Sequence, residues 1–289
     1  MMRKPAIIAL LLAASCASSF PVPSDRGEAE TVEVRCVYRL GFYGNASSAR
    51  LIAKLPPSVA GRQVVGDFRY SPEPLRVYAS NGERFALFLV NREEGKDECR
   101  VEILMKVRFL ACAQSGPAGV EARYYDGDRY TECYEEPIQK LARELRKPNI
   151  IATAVKVQEC LNARIGYTAM DERIGAKKAL GVGRGDCTEY ADAFIALMRA
   201  ARYPARHVSG LALGWEKTSL HDAAELYLPE FGWIHVEPIG SRETLFPEYN
   251  DFVILTMEDS AGGLYEPVFW KVQYDDGFVT VAMDADCRQ

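Results

Sequence analysis

Gly185-Asp186-Cys187-Thr188-Glu189-Tyr190 is the stretch on which the reading of this chain turns. Asp186 is a favourable N-cap, and Glu189 three residues later completes a capping-box-like pattern, so a helix is predicted to open at Cys187. Tyr190, Phe194, Leu197, Met198 and Ala201 then recur at spacings of three and four, and Tyr203-Pro204 ends the helix. A cysteine at the first helical position faces unpaired backbone N–H groups and the positive end of the macrodipole, which both stabilise a thiolate. The neighbouring Asp186 carboxylate opposes this, and Arg184 is positioned to offset it. A core thiol is the alternative role for Cys187, although such a thiol belongs more naturally on the apolar face of the helix.

A nucleophilic thiol needs a base to hold its proton and return it to a leaving amine. The chain has 3 histidines, so the choice is narrow. His207, in Arg206-His207-Val208, reads as a structural strand residue. His221 opens the segment running to Pro229. His235 is a rival, because period-two alternation puts it on one strand face with Glu237. Glu237 itself is either the carboxylate that orients a histidine or a salt-bridge partner at a strand end.

Working outward, residues 150–163 carry apolar positions at helical spacing, and strands are expected at about 205–213, 221–228, 233–237, 251–257 and 267–274. Upstream, residues 31–112 read as a small β-sandwich. Val32–Tyr38 and Arg100–Val107 alternate apolar and polar, with Leu104 the one break, and Phe85–Val90 reads as a strand buried on both faces. Turn signals at Gly44-Asn45, Ser80-Asn81-Gly82 and Glu94-Gly95-Lys96 separate these runs. Residues 113–147 read as a mixed connector, with Asp126-Gly127-Asp128 a turn and not a calcium loop. The expected division is therefore a leader at 1–20, a sandwich at 31–112, a connector at 113–147 and a second domain at 148–289.

The 289 residues suffice for two ordinary domains, and 48% hydrophobic with 26% charged residues is a globular composition. A net charge of -5, with no basic run interleaved with aromatics, argues against a nucleic-acid partner. Arg3 and Lys4, the apolar run Ala6–Ala14 and the small residues 15–18 form an export leader, too short to span a bilayer. Ala13-Ala14-Ser15 before Cys16 also fits a lipoprotein leader, so lipidation of Cys16 and plain secretion both stand. Either way the expected location is extracytoplasmic: periplasm, secreted, or a lipid-anchored envelope protein. A lipid anchor at Cys16 is the only membrane contact expected. Apart from Cys16 and Cys187, six of the 8 cysteines remain, Cys36, Cys99, Cys112, Cys133, Cys160 and Cys287. They suit disulfides or buried thiols, and no zinc spacing occurs, so neither metal nor cofactor is expected.

The stretch from about 150 to 240 resembles the transglutaminase-like superfamily of papain-like cysteine enzymes. The resemblance rests on Gly185-Asp186-Cys187, Ala201-Arg202-Tyr203-Pro204-Ala205-Arg206, His221 through Pro229, Gly232-Trp233 and Glu237-Pro238. It implies an α+β fold: a β-sandwich followed by a papain-like transglutaminase core, a helix-borne Cys packed on an antiparallel sheet. Leu55-Pro56 and Arg62-Gln63-Val64-Val65 likewise resemble the β-domain that precedes this core in some bacterial members. The resemblance implies Cys187 as nucleophile, His221 as base and Glu237 in place of the family's Asp. Asp222-Ala223-Ala224 departs from the tryptophan the family often carries there. The implied activity is cleavage or transfer of a peptide or protein amide acyl group through a thioester, hydrolysis favoured over cross-linking, on an envelope or peptidoglycan peptide. The alternative is a non-catalytic envelope scaffold. One donor of an oxyanion hole would be the Cys187 N–H, with Trp215 and Tyr167 as candidates for the second. Were Pro229–Gly232 a four-residue hairpin loop, Glu237 would fall opposite Ala224, about 10 Å along the strand from His221. A bulge, or a turn centred nearer Pro229, is then required.

Overall fold

The computed structural model describes residues 30–80, 82–110, 120–213, 219–229, 231–247, 251–258 and 269–288. The expected leader with Cys16, and also Cys112 and Trp215, lie outside the described residues. In chain order the strands of the first half are β1 (Thr31–Tyr43), β2 (Ser48–Leu55), β3 (Gln63–Ser71), β4 (Arg76–Ser80), β5 (Glu83–Asn91) and β6 (Glu98–Phe109). Helices α1 (Glu136–Leu145) and α2 (Ile150–Arg164) follow, then the short strand β7 (Gly166–Tyr167), α3 (Ala176–Val182) and the short strand β8 (Arg184–Gly185). Next come α4 (Cys187–Ala200), β9 (Ala205–Ala212), β10 (Ser219–Leu228), β11 (Gly232–Val236), β12 (Phe252–Met257), β13 (Trp270–Tyr274) and β14 (Phe278–Arg288).

Two four-stranded sheets, ordered β14-β1-β6-β3 and β13-β2-β5-β4, enclose an apolar core containing Tyr38, Phe42, Phe88, Ile103 and Phe109. Each strand has one inner face, which is why β6 alternates buried and open residues along its length. The same geometry corrects the expectation for Phe85–Val90. Ala86, Phe88 and Val90 are buried, but Leu89 is 42% exposed, because among the described residues nothing covers the outer face of that sheet there.

The expected boundary of the second domain is corrected by strand pairing. β13 pairs with β2, and β14 pairs with β1 from Glu33↔Arg288 to Tyr43↔Phe278, so the end of the chain belongs to the sandwich. The connector also holds more than turns, since α1 packs Ile138, Leu141 and Ala142 into the second core.

That second core surrounds α4. Every residue from Glu189 to Arg199 is buried, whereas the sequence pattern suggests a single apolar face. The reason is placement: α1, α2 and α3 cover one side of α4 and the antiparallel sheet β11-β10-β9-β12 covers the other. Its buried charges are each met, Asp192 by Arg173 and Arg199 by Glu258. Sandwich and core share apolar packing. Leu211, Val253 and Leu255 of the core sheet pack into the sandwich interior, and the Gln63 amide both donates to the Ile254 carbonyl (2.7 Å) and accepts from its N–H (2.9 Å). Gln63 thereby completes backbone bonding where β12 bulges between Ile254 and Thr256.

Candidate active site

The first turn of α4 is built as its sequence requires. The Asp186 carboxylate accepts from the Thr188 N–H (3.0 Å) and the Met170 N–H (3.1 Å), and the Asp186 N–H donates to the Glu189 carboxylate (3.1 Å). Glu189 also accepts from the Ile174 N–H (3.0 Å), and burial raises the pKa of its fully enclosed carboxyl. Gly185 is needed for this arrangement: a Cβ there would lie 2.4 Å from Cβ of Glu189. Both carboxylates near the thiol are thus occupied by backbone donors. Cys187 is left half-buried at the helix start, while Arg184 is exposed on β8.

His221 comes to Cys187 from β10 and hydrogen-bonds to it. Its Nε2 lies 2.6 Å from Oε2 of Glu237, which leaves Nδ1 as the ring nitrogen for the thiol. Burial works against a charged ring, but the hydrogen bonds with Cys187 and Glu237 outweigh it and push the His221 pKa up to about 10. Glu237 follows the end of β11, and its other oxygen accepts from the Ile239 N–H (3.0 Å). Helix α2 holds this turn from below: the buried Gln158 amide donates to the Glu237 carbonyl (3.1 Å), and Asn162 bridges the Pro238 carbonyl (2.9 Å) and the Gly240 N–H (3.0 Å).

The hairpin register explains the reach. Leu228 pairs with Gly232 and Ala224 with Val236, so the loop has three residues and its turn is centred nearer Pro229 than a four-residue loop allows. Continuing that register sets Glu237 opposite Ala223, two positions from His221 on the same face. Such diagonal neighbours are about 7–8 Å apart, within reach of a long side chain. The additional methylene of glutamate over aspartate spans that offset. Across β9, His221 faces Gly210, where a Cβ would meet the Val253 carbonyl at 1.9 Å, so glycine permits β9 and β12 to close up behind the ring.

His235, the rival base, lies beneath the site and not against the thiol. It is buried, stacks on Phe252 (4.5 Å between centroids), and burial beside Arg62 and His221 drives its pKa well below the ordinary histidine value. Phe252 also meets the His221 ring edge-on, at 6.4 Å. His207 is indeed internal, and contacts Asp192 and Asp222. Tyr167 is 59% exposed on β7, opposite Gly185, and its pKa is raised by burial and by the nearby Cys187, Asp186 and Glu237. All six cysteines among the described residues are free thiols. Burial pushes Cys36 up to about 12 and Cys287 up to about 11.

Two groups escaped the sequence reading: the pair Gln158 and Asn162, and the cluster of Thr188, Asp222 and Ser209. Thr188 and Asp222 directly follow Cys187 and His221 in the chain, an adjacency that could have marked them.

With this geometry in hand, comparison with known proteins is informative. Residues 139–238 match the profile of the transglutaminase-like superfamily, so this segment of the chain is similar to a transglutaminase-like core. Among solved structures, a candidate cysteine protease from Cytophaga hutchinsonii matches with a TM-score of 0.67 at 17% identity, over 90% of this chain and 91% of that one. The shared fold therefore includes the sandwich as well as the core. The periplasmic domain of TgpA from Pseudomonas aeruginosa, bound to ethylmercury, matches with a TM-score of 0.36 at 16% identity, over 73% of this chain and 90% of that one. No curated protein sequence matches the chain.

Proposed function

We propose that this protein is a transglutaminase-like cysteine enzyme that opens a peptide or protein amide through a thioester on Cys187. The observation that carries the reading is the continuous chain Cys187–His221–Glu237, anchored to three separate elements, with the sulfur half-buried and the two partners buried. In this reading the Cys187 thiolate attacks the amide carbon, and the Cys187 N–H at the start of α4 donates to the developing oxyanion. His221, charged by its position between thiolate and carboxylate, gives its proton to the leaving amine as the C–N bond breaks. A water then gives one proton to the now neutral His221 and its hydroxide to the acyl carbon; the C–S bond breaks, which releases the acid and restores the Cys187 thiolate beside the charged ring. Glu237 keeps the ring aligned through Nε2.

Hydrolysis is favoured over transfer to an amine because water reaches a half-buried sulfur without a second binding site. The leader expected at residues 1–20 supports a substrate outside the cytoplasm, where peptidoglycan peptides and envelope proteins supply amides; lipidation of Cys16 would hold the enzyme at the membrane. The test is release of acid from a panel of peptide amides by the purified protein, with Cys187→Ala as control. Turnover abolished in a folded Cys187→Ala variant is the expected result. A fully active variant would overturn the assigned nucleophile, and a wild-type thiol no more reactive toward iodoacetamide than free cysteine would leave a binding scaffold on the same fold.

A further inference from the structure

The residues immediately after the nucleophile and the base are bonded to each other. Thr188 Oγ1 donates to Asp222 Oδ2 at 2.6 Å, so the gap between α4 and β10 that Cys187 and His221 span is bridged a second time, one residue on. Asp222 accepts from Ser209 Oγ through its other oxygen, and that oxygen lies 3.6 Å from Nε2 of His207. His207 Nδ1 is 3.4 Å from Asp192 on α4, and Arg173 Nε donates to Asp192 at 2.8 Å. The four ionisable groups alternate in sign, Arg173, Asp192, His207 and Asp222, and all are buried or nearly so. Burial opposes charge on His207 and on Asp222. Even so, Asp192 and Asp222 raise the His207 pKa, and His207, Ser209 and Thr188 hold the Asp222 carboxyl well below the usual carboxylate range.

We propose that Thr188 and Asp222 are positioning residues that fix the separation of Cys187 and His221, with His207, Asp192 and Arg173 as the charged anchor that holds Asp222 in place. The inference rests on the proposed role of Cys187 and His221. It follows from geometry: a helix end and a strand end are each free to rotate by a fraction of an ångström, and a single thiol–imidazole contact does not restrain both. A second, charge-assisted bond beside it does, because its acceptor is itself held from β9 by two further groups. It also gives a reason for Asp222 at a position where polar burial would otherwise only cost stability.

The test is alkylation of Cys187 by iodoacetamide across a range of pH in the full-length protein, with thermal unfolding as the check on folding. Thr188→Val keeps the shape and removes the donor. We expect it to slow alkylation at neutral pH by roughly tenfold to a hundredfold and to displace the pH profile, since small misplacements of reacting groups cost factors of this size. Thr188→Ser should restore both. A folded Thr188→Val protein with the wild-type rate and profile overturns the inference. Should that variant not fold, Asp222→Asn carries the same expectation, since it removes the charge but leaves one acceptor. A wild-type rate no faster than free cysteine instead overturns the parent reading of the site, an outcome distinguishable because it needs no variant.

Discussion

Glu237 reaches His221 across a diagonal of the hairpin, and its charge is one of the two features that keep the ring protonated. Glu237→Asp is therefore predicted to be a poor replacement even though it is the conservative one: the shortened side chain should cost roughly tenfold or more in kcat/KM on a peptide amide. Glu237→Gln keeps the length and loses the charge. With the ring at about 10 in the intact protein, the alkaline limb of the rate profile should fall near that value, as the proton on His221 is lost. Removing the carboxylate should move the limb downward by about 1–3 pH units. The same shift has a stability consequence. A histidine raised from 6.5 contributes stability that is complete below its unfolded value and disappears as pH rises through about 10. Thermal unfolding against pH should show that loss in the wild type and a smaller one in Glu237→Gln.

Helix α4 shows what an element contributes. Asp186 caps its half-buried first turn, so Asp186→Ala should cost about 0.5–2 kcal/mol in a denaturant titration. Its alkylation rate should fall as well, because the first turn that presents Cys187 loses its lock on Met170 and Thr188. Much at this scale was legible from the chain. Capping residues act through contacts two or three positions away, so Asp186 and Glu189 announced the start of α4. Strand spacing likewise placed β9 to β12. By contrast, the burial of α4 on all sides was invisible, because it depends on α1 and α3, one read as connector and the other not read at all. The hairpin register could not be settled either, since Pro229–Gly232 is compatible with loops of three or four residues and only packing chooses between them. For the site, the motif residues were legible, and their supports were not: Gln158 and Asn162 act from a helix about 80 positions before the turn they hold.

Across the whole molecule, the sandwich is part of the structure that frames the site. Gln63 bonds the Ile254 backbone twice, and Arg62 lies 3.4 Å from the buried Glu225 of β10. Gln63→Ala should destabilise by about 1–3 kcal/mol, since it leaves both polar groups of Ile254 without partners. Its effect on kcat should exceed its effect on KM, because β12 carries Phe252 against His221. Truncation before residue 269 should unfold the first half of the chain rather than trim it, for β1 would lose an eleven-residue ladder with β14; loss of the cooperative thermal transition would register this. The boundary read from the sequence missed the point because strand partners so far apart leave no local trace.

The pairing of the first long strand with the last also orders events in time. During synthesis or passage through a translocation channel, the opening segment emerges roughly 250 residues before its neighbour in the sheet. For that interval it has an unsatisfied edge, a feature that invites aggregation. The central portion, with its own packed interior, is free to settle first and act as a template on which the two ends meet. Folding of the sandwich should accordingly be slow and should wait for release of the complete polypeptide.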